Sequence, residues 1–193
     1  MLRSLVDAAL AARFGGDPAR HLSESALQSA LLALPAPPVA VGRVVAVVLR
    51  PDGGQRATPP SIRLLAGAGA VGDAWERGAR KPDAAVSVMR DDVARLMANG
   101  QDPALGGDNL RVELDLHERA LPVGTHLRVG AVVCRVSPKA HTGCRRFAER
   151  FGRPARDLPL TPEWRAHRLR GIFVEIVVGG EVRPGDPIEV VRA

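Results

Sequence analysis

Tyrosine does not occur in this chain of 193 residues, and aromatic side chains account for only 3% of it. With Trp75 and Trp164 as the only tryptophans, an aromatic sandwich for a purine-like base has few available members. Cysteine is almost as scarce. Cys134 and Cys144 are the only two, which excludes a secreted disulfide framework and a paired CxxC metal site. Nor is there an apolar run long enough to cross a bilayer, so no membrane partner is expected. The opening MLRSLVDAALAARFGG has Arg3 and Arg13 flanking apolar residues, but Asp7 interrupts the run and no small-residue cleavage site follows. That segment reads as a helix that stays on the protein, and the cytoplasm is the expected compartment.

What the chain has in excess is arginine. Lys and Arg together number 27 against 21 Asp and Glu, giving a net charge of +6 and a pI near 10.8. Only Lys81 and Lys139 are lysines. This balance favours anionic partners: a phosphate-bearing cofactor, an acidic small-molecule substrate or nucleic acid. The arginine fork suits phosphate and carboxylate, although a GC-rich genome would produce the same bias. Nucleic acid is not the expected partner, because no aromatic-basic motif or base-reading helix accompanies the charge.

Residues 1–38 differ in texture from the rest. Leu2, Leu5, Val6, Ala9, Leu10 and Phe14 recur at helical spacing, and Gly15-Gly16 supplies a stop. A second helix is predicted from Ser23, with Leu27, Ala30, Leu31 and Leu34 as its apolar stripe, before the break PAPP at 35–38. This N-terminal helical extension needs a contact for its stripes: a barrel edge, a partner, or a second copy in a homodimer. Residues 39–193 read as one domain, mainly β with peripheral helices (α+β). Short β-branched runs bounded by Gly and Pro occur at 41–50, 61–66, 84–89, 109–114, 125–136, 171–178 and 187–191. LPVGTHLRV (121–129) and VRPGDPIEV (182–190) are entered alike, as expected of barrel or sandwich strands. Helices are predicted over 90–100, with Gly100 as the stop, over 144–152, and over 161–169, where Thr161 can cap and Pro162 takes the first position.

The stretch HTGCRRFAERFG (141–152) concentrates the chemistry. Pro138 and Gly143 are expected to end the preceding strand near Val136, leaving Cys144 in or just before the first turn of a helix that Gly152 closes. Free amide N–H groups and the positive end of a helix dipole favour thiolate over thiol there, and Arg145, Arg146 and His141 add to that preference. Against this, Cys144, Phe147 and Phe151 fall on one helical stripe, which is equally compatible with simple burial of the thiol. Cys134 alternates with Val132 and Val136 and reads as a small core residue. His141 and Cys144 offer two potential zinc ligands, too few for a structural site.

Taken in order, GAVGDAWERG (69–78), PDAAVSVMRDDVARL (82–96), GGDNLRVELDL (106–116), LPVGTHLRVGAVVCRV (121–136), HTGCRRFAERFG (141–152) and LRGIFVEIVVGGEVRPGDPIEVV (169–191) resemble the MOSC domain, named for the C-terminal domain of molybdenum cofactor sulfurases. The resemblance covers residues 40–192 and leaves the N-terminal helices outside. It implies a β-barrel-like fold with peripheral helices, a molybdenum-pterin cofactor and a cysteine thiolate as metal ligand. That role falls on Cys144, by its place after the long strand and before the helix. Family members include sulfurase domains, mitochondrial amidoxime-reducing enzymes and bacterial relatives that reduce N-hydroxylated bases. The implied activity is therefore two-electron reduction of an N–O bond in a small-molecule substrate. The chain shows no flavin, haem or iron–sulfur motif, so the electrons would come from a separate electron-donor protein. A sulfur or cofactor carrier, with a persulfide on Cys144 and no turnover, is the alternative, as is a non-catalytic anion-binding module. Pyridoxal phosphate belongs to a separate domain of the sulfurases and is not expected, since Lys81 and Lys139 lack an aldimine setting.

The same resemblance puts Asn109 at the asparagine of the family's G-E-N-L-type segment near the cofactor. Turn chemistry is the other account, because Gly106, Gly107, Asp108 and Asn109 are all turn formers. Lys139, Arg145, Arg146 and Arg170 are candidates for the cofactor's phosphate, and each also reads as a solvated surface charge. Asp73 and Trp75 sit in a family-like G-x-x-G-D block, where the aspartate either holds a loop through backbone N–H groups or lines the pocket. Thr142-Gly143 before Cys144 and Arg145 after it depart from the proline and aromatic that the better characterised reductases tend to carry, which leaves the substrate open.

Overall fold

The structure is a computed structural model and describes residues 15–51, 54–77 and 82–191. Seven strands close into a barrel in the order β1 (Val41–Val47), β10 (Pro187–Val191), β6 (His126–Val129), β7 (Val132–Ala140), β8 (Ile172–Val178), β4 (Val86–Arg90) and β5 (Leu110–Glu113), with β5 pairing back onto β1. A separate sheet runs β3 (Gly69–Ala70), β2 (Ile62–Leu65), β9 (Gly180–Val182). Alternation along the strands fills the barrel: Val44, Val112, Leu127, Val129, Val174 and Ile188 are buried in one cluster. Cys134 belongs to it. Its thiol is buried and burial pushes its pKa up to about 12, which makes it the inert core residue expected from its spacing. The two segments that are entered alike lie side by side, as β6 and β10 pair antiparallel.

β4 and β5 are the parallel pair, and a parallel pair needs a crossover. Helix α2 (Asp91–Ala98) supplies it, burying Val93, Ala94 and Met97 and ending at Asn99 in the left-handed conformation, one residue before the expected Gly100. α1 (Glu24–Leu32), α3 (Arg145–Phe151) and α4 (Arg153–Asp157) join it in a helical layer with its own core of Leu27, Leu31, Val93, Met97, Phe147 and Phe151. Ser23 caps α1 by accepting the Ala26 N–H at 3.2 Å, as its sequence predicts. The stripe on α1 finds its contact here, on the helical layer rather than on a barrel edge. The helix expected over the first 14 residues lies outside the described residues.

Two expectations need correction. No α-helix forms over 161–169: Thr161 ends a 3-10 turn at Leu158–Leu160, and the rest is turns with one 3-10 turn at Arg165–His167. The Thr161 hydroxyl caps no N–H, and although the Arg165 N–H reaches the Thr161 carbonyl at 2.9 Å, the α-turn is not continued. His167 and Arg168 donate three residues back, to Trp164 and Arg165, and Arg168 turns left-handed. Second, β7 runs past Val136 to Ala140, with Pro138 inside it. Pairing shifts between Val136↔Val174 and Ala140↔Ile172, so Pro138 occupies a bulge where its missing N–H costs no ladder bond. Among the described residues no helix is long and apolar enough to cross a membrane.

Candidate functional site

The ends of β1 and β7 and the starts of β5 and β8 meet at one end of the barrel, beneath the helical layer. Asn109, just before β5, is fully buried there. Its side-chain amide donates to the Val48 carbonyl and to Asp73, both at 3.1 Å, and its oxygen accepts from Arg50 at 3.1 Å and from the Ser87 N–H at 3.2 Å. Every polar atom of that amide is spent inside the protein, and the turn geometry belongs to Gly107, which is left-handed at φ 78°. Asp73 accepts the backbone N–H groups of Arg50 and Trp75 at 3.0 and 2.9 Å, so it holds its loop as one sequence account supposes. Burial raises its pKa, but hydrogen bonds from Arg50 outweigh that and hold it below the usual carboxylate range.

Asp108 and Arg170 form the second buried pair, with one guanidinium nitrogen 3.0 and 2.9 Å from the two carboxylate oxygens. The guanidinium also lies 4.0 Å from the Phe147 ring centre, which ties the barrel end to α3. His141 stands beside this pair, its Nδ1 3.7 Å from Asp108 and its ring 4.2 Å from that of Phe173. Burial first, and then the Arg170 charge, push its pKa down to about 3, so the imidazole is neutral at ordinary pH. His141 therefore takes up its proton near pH 6.5 when unfolded but only near pH 3 when folded. The unfolded chain binds more protons across that window, so stability is full above it and falls as pH drops, by up to about 1.4 kcal/mol per unit. Asp108 adds to the loss at the acid end, because Arg170 outweighs the upward push of burial and keeps its pKa below the ordinary range. Urea titrations of His141→Gln between pH 6.5 and 4 should show a flatter slope than the parent; an identical slope would assign the effect to other groups.

Arg50, Arg56 and Arg150 were not distinguishable in the sequence from other arginines, yet they converge here. The Gly54 carbonyl accepts from Arg56 at 3.1 Å and from Arg150 at 2.7 Å, holding two cations side by side. Arg56 lies against the bare face of Gly107, where a Cβ would stand 2.6 Å from its Nε. Burial, then the charges of Arg150 and Arg50, push the Arg56 pKa down to about 10, and its Nε is buried without a hydrogen-bond partner. Only the folded arrangement reveals that crowding.

Cys144 is the N-cap residue of α3, and its side chain is exposed and caps no N–H. Phe147 and Phe151 are buried as their stripe predicts, but the thiol at the head of the stripe is not. Cys144 is close enough to Arg150 to act on its pKa, opposing the lowering that burial causes. Of the other expected residues, Arg145 is exposed and pairs with Glu149 at 2.7 Å, and Arg146 is exposed on the same helix. Lys139, His141 and Arg170 instead line a cleft of about 380 Å³ formed by the end of β7, the start of β8 and the 159–168 segment.

No curated protein matches the sequence significantly. The fold is similar to the crystal structure of the YuaD protein from Bacillus subtilis, with a TM-score of 0.54 at 17% identity over 78% of this chain and 95% of that one. It is also similar to YiiM from Escherichia coli, with a TM-score of 0.51 at 19% identity over 78% of this chain and 70% of that one. At such identities the likeness is one of fold. The model of the MOSC domain matches residues 77–189, taking in β4, α2, Asn109, Cys144 and the closing strands. That match spans more than half of the sequence, and the chain belongs to the MOSC domain family.

Proposed function

We propose that this protein binds a molybdenum-pterin cofactor through Cys144 and reduces N–O bonds of small N-oxygenated molecules. The reading is carried by one juxtaposition in a MOSC chain: an exposed thiol near the buried Arg150 guanidinium, which in turn crowds the half-buried Arg56 with its unpartnered Nε. The residues fit such a cofactor. A thiolate is a soft ligand suited to molybdenum. Among the described residues no group of three or more His, Cys, Asp or Glu is placed to hold a metal, so a metal on Cys144 needs its other ligands from a non-protein group such as a pterin dithiolene. Arg56 and Arg150 are like charges sharing one carbonyl. The Arg150 donors go to the Leu105 and Gly54 carbonyls, while the Arg56 Nε has no hydrogen-bond partner, so an anion taken up by Arg56 would offset the repulsion between the two charges.

Bound there, the cofactor supplies a metal that cycles two electrons. The chain's own part is to ligate through Cys144, to hold the phosphate through Arg56, with Arg150 beside it, and to keep Arg50 fixed through Asp73 and Asn109. His141, neutral at ordinary pH, adds no charge at the cleft. In the overall reaction a hydroxylamine-type N–O bond breaks, two electrons and two protons are consumed, and the oxygen leaves as water. The electrons come from a separate donor protein.

Exposure of Cys144 also suits a second reading, a carrier holding a persulfide sulfur without turnover. Elemental analysis and pterin fluorescence of protein purified from a host that makes the cofactor separate the two. Near-stoichiometric molybdenum with reduction of an N-hydroxylated substrate supports the reductase. Metal-free, inactive protein with cyanide-releasable sulfur supports the carrier.

A further inference from the structure

Residues 139–170 hold nine of the chain's 27 Lys and Arg but three of its 21 Asp and Glu, so the whole net charge of +6 arises in this one stretch. The same stretch forms much of the wall of the cleft of about 380 Å³, a size suited to one small molecule. Four lining side chains are cations, Lys139, Arg165, Arg168 and Arg170, against the single carboxylate of Glu118. Two of the four are already engaged. Arg170 is bound to Asp108 at 2.9 Å, and Arg168 lies 3.8 Å from Glu118 and donates to the Leu121 carbonyl at 2.6 Å. Lys139 and Arg165 have no carboxylate partner among the described residues, and the Lys139 ammonium stands 5.7 Å from the Phe173 ring centre. No Phe, Tyr or Trp lines the cleft, so a flat neutral base would find none of those rings to stack on.

We infer that the cleft selects N-oxygenated substrates carrying a carboxylate or phosphate group, with Lys139 and Arg165 reading the negative charge. The word substrate rests on the reductase reading above; the charge selection is a binding property that stands or falls separately. Both cations are exposed, so the discrimination is modest, on the order of tenfold at low salt, and screening reduces it.

The test uses benzamidoxime, 4-carboxybenzamidoxime and 4-phosphonooxybenzamidoxime, which share the reacting group and differ in charge. Calorimetric titration of the cofactor-loaded protein at low ionic strength should show the anionic compounds binding about tenfold tighter than the neutral one. Their ratio tells which anion the cleft prefers. The double variant Lys139→Ala, Arg165→Ala should lose most of that advantage while its affinity for benzamidoxime stays within about twofold of the parent. Equal affinities for charged and neutral compounds overturn the inference, as does discrimination that survives in the variant. Discrimination confined to protein from a host lacking the cofactor overturns it too, since the two cations then hold the cofactor's own phosphate. Charge-selective binding without turnover refutes the reductase and leaves the selection standing, whereas turnover without selection does the reverse.

Discussion

Cys144→Ser is expected to lose molybdenum to background and to reduce activity by more than about 100-fold, while the protein becomes no less stable. A hydroxyl is a hard donor that stays protonated at neutral pH, so the variant has nothing at this position with which to hold a soft metal. Loss of a ligand should exceed the 10–100-fold that loss of a supporting partner typically causes. Stability moves the other way for a separate reason. The cysteine occupies the N-cap of α3 without accepting a hydrogen bond, and serine is among the preferred N-cap residues. A gain of up to about 1 kcal/mol is therefore expected in urea unfolding. Full metal content and full activity in this variant would end the thiolate-ligand reading, and the stability measurement ensures that a loss cannot be blamed on misfolding.

Asp108→Ala should be among the most damaging single changes in the barrel end, costing about 3–5 kcal/mol. The carboxylate and its partner are almost entirely buried, with side-chain exposures of 3% and 6%. Removing the carboxylate strands the Arg170 guanidinium, whose Nε already lacks a hydrogen bond, against Phe147 and Met89. Replacing both partners by apolar residues of similar size, Asp108→Leu with Arg170→Met, should cost clearly less than the single change, because no charge is left behind. A urea midpoint for Asp108→Ala close to that of the parent would mean that water reaches the guanidinium and that the pair holds nothing together.

How much of this could be read from the sequence depended on whether the signal was local. Most strands rich in Val and Ile between Gly and Pro are legible within a few residues, because alternation and turn chemistry act over a few positions. α1 followed from Ser23 and the Leu27–Leu31 spacing in the same way. The run 125–136, however, divides at Gly130-Ala131 into the antiparallel pair β6 and β7, and β1 stops at Val47. Pro138 misled because a proline reads as a stop unless a bulge absorbs it, and the bulge is decided by how β8 pairs across from it. The 161–169 segment carried a credible cap and a proline at the right place, yet the fold uses Thr161 to end one turn rather than to start a helix. β3 and β9, two and three residues long, are too short to leave a pattern. At the site, Cys144, Asp73 and Asn109 were marked by their motifs. Arg56 and Arg150 were not, since their meeting at the Gly54 carbonyl joins residues 94 positions apart by tertiary structure alone.

The closure of the barrel by β5 onto β1 has a consequence for self-association. Each barrel strand has a neighbour on both sides, so the barrel itself offers no row of unpaired amides to a second copy. The free borders of the other sheet belong to β3 and β9, which provide two and three residues. Strand templating between copies, the usual route from a β-rich fold to fibres, thus has almost nothing to grip. Among the described residues, what a second copy could contact is therefore side chains on the helices or the barrel wall.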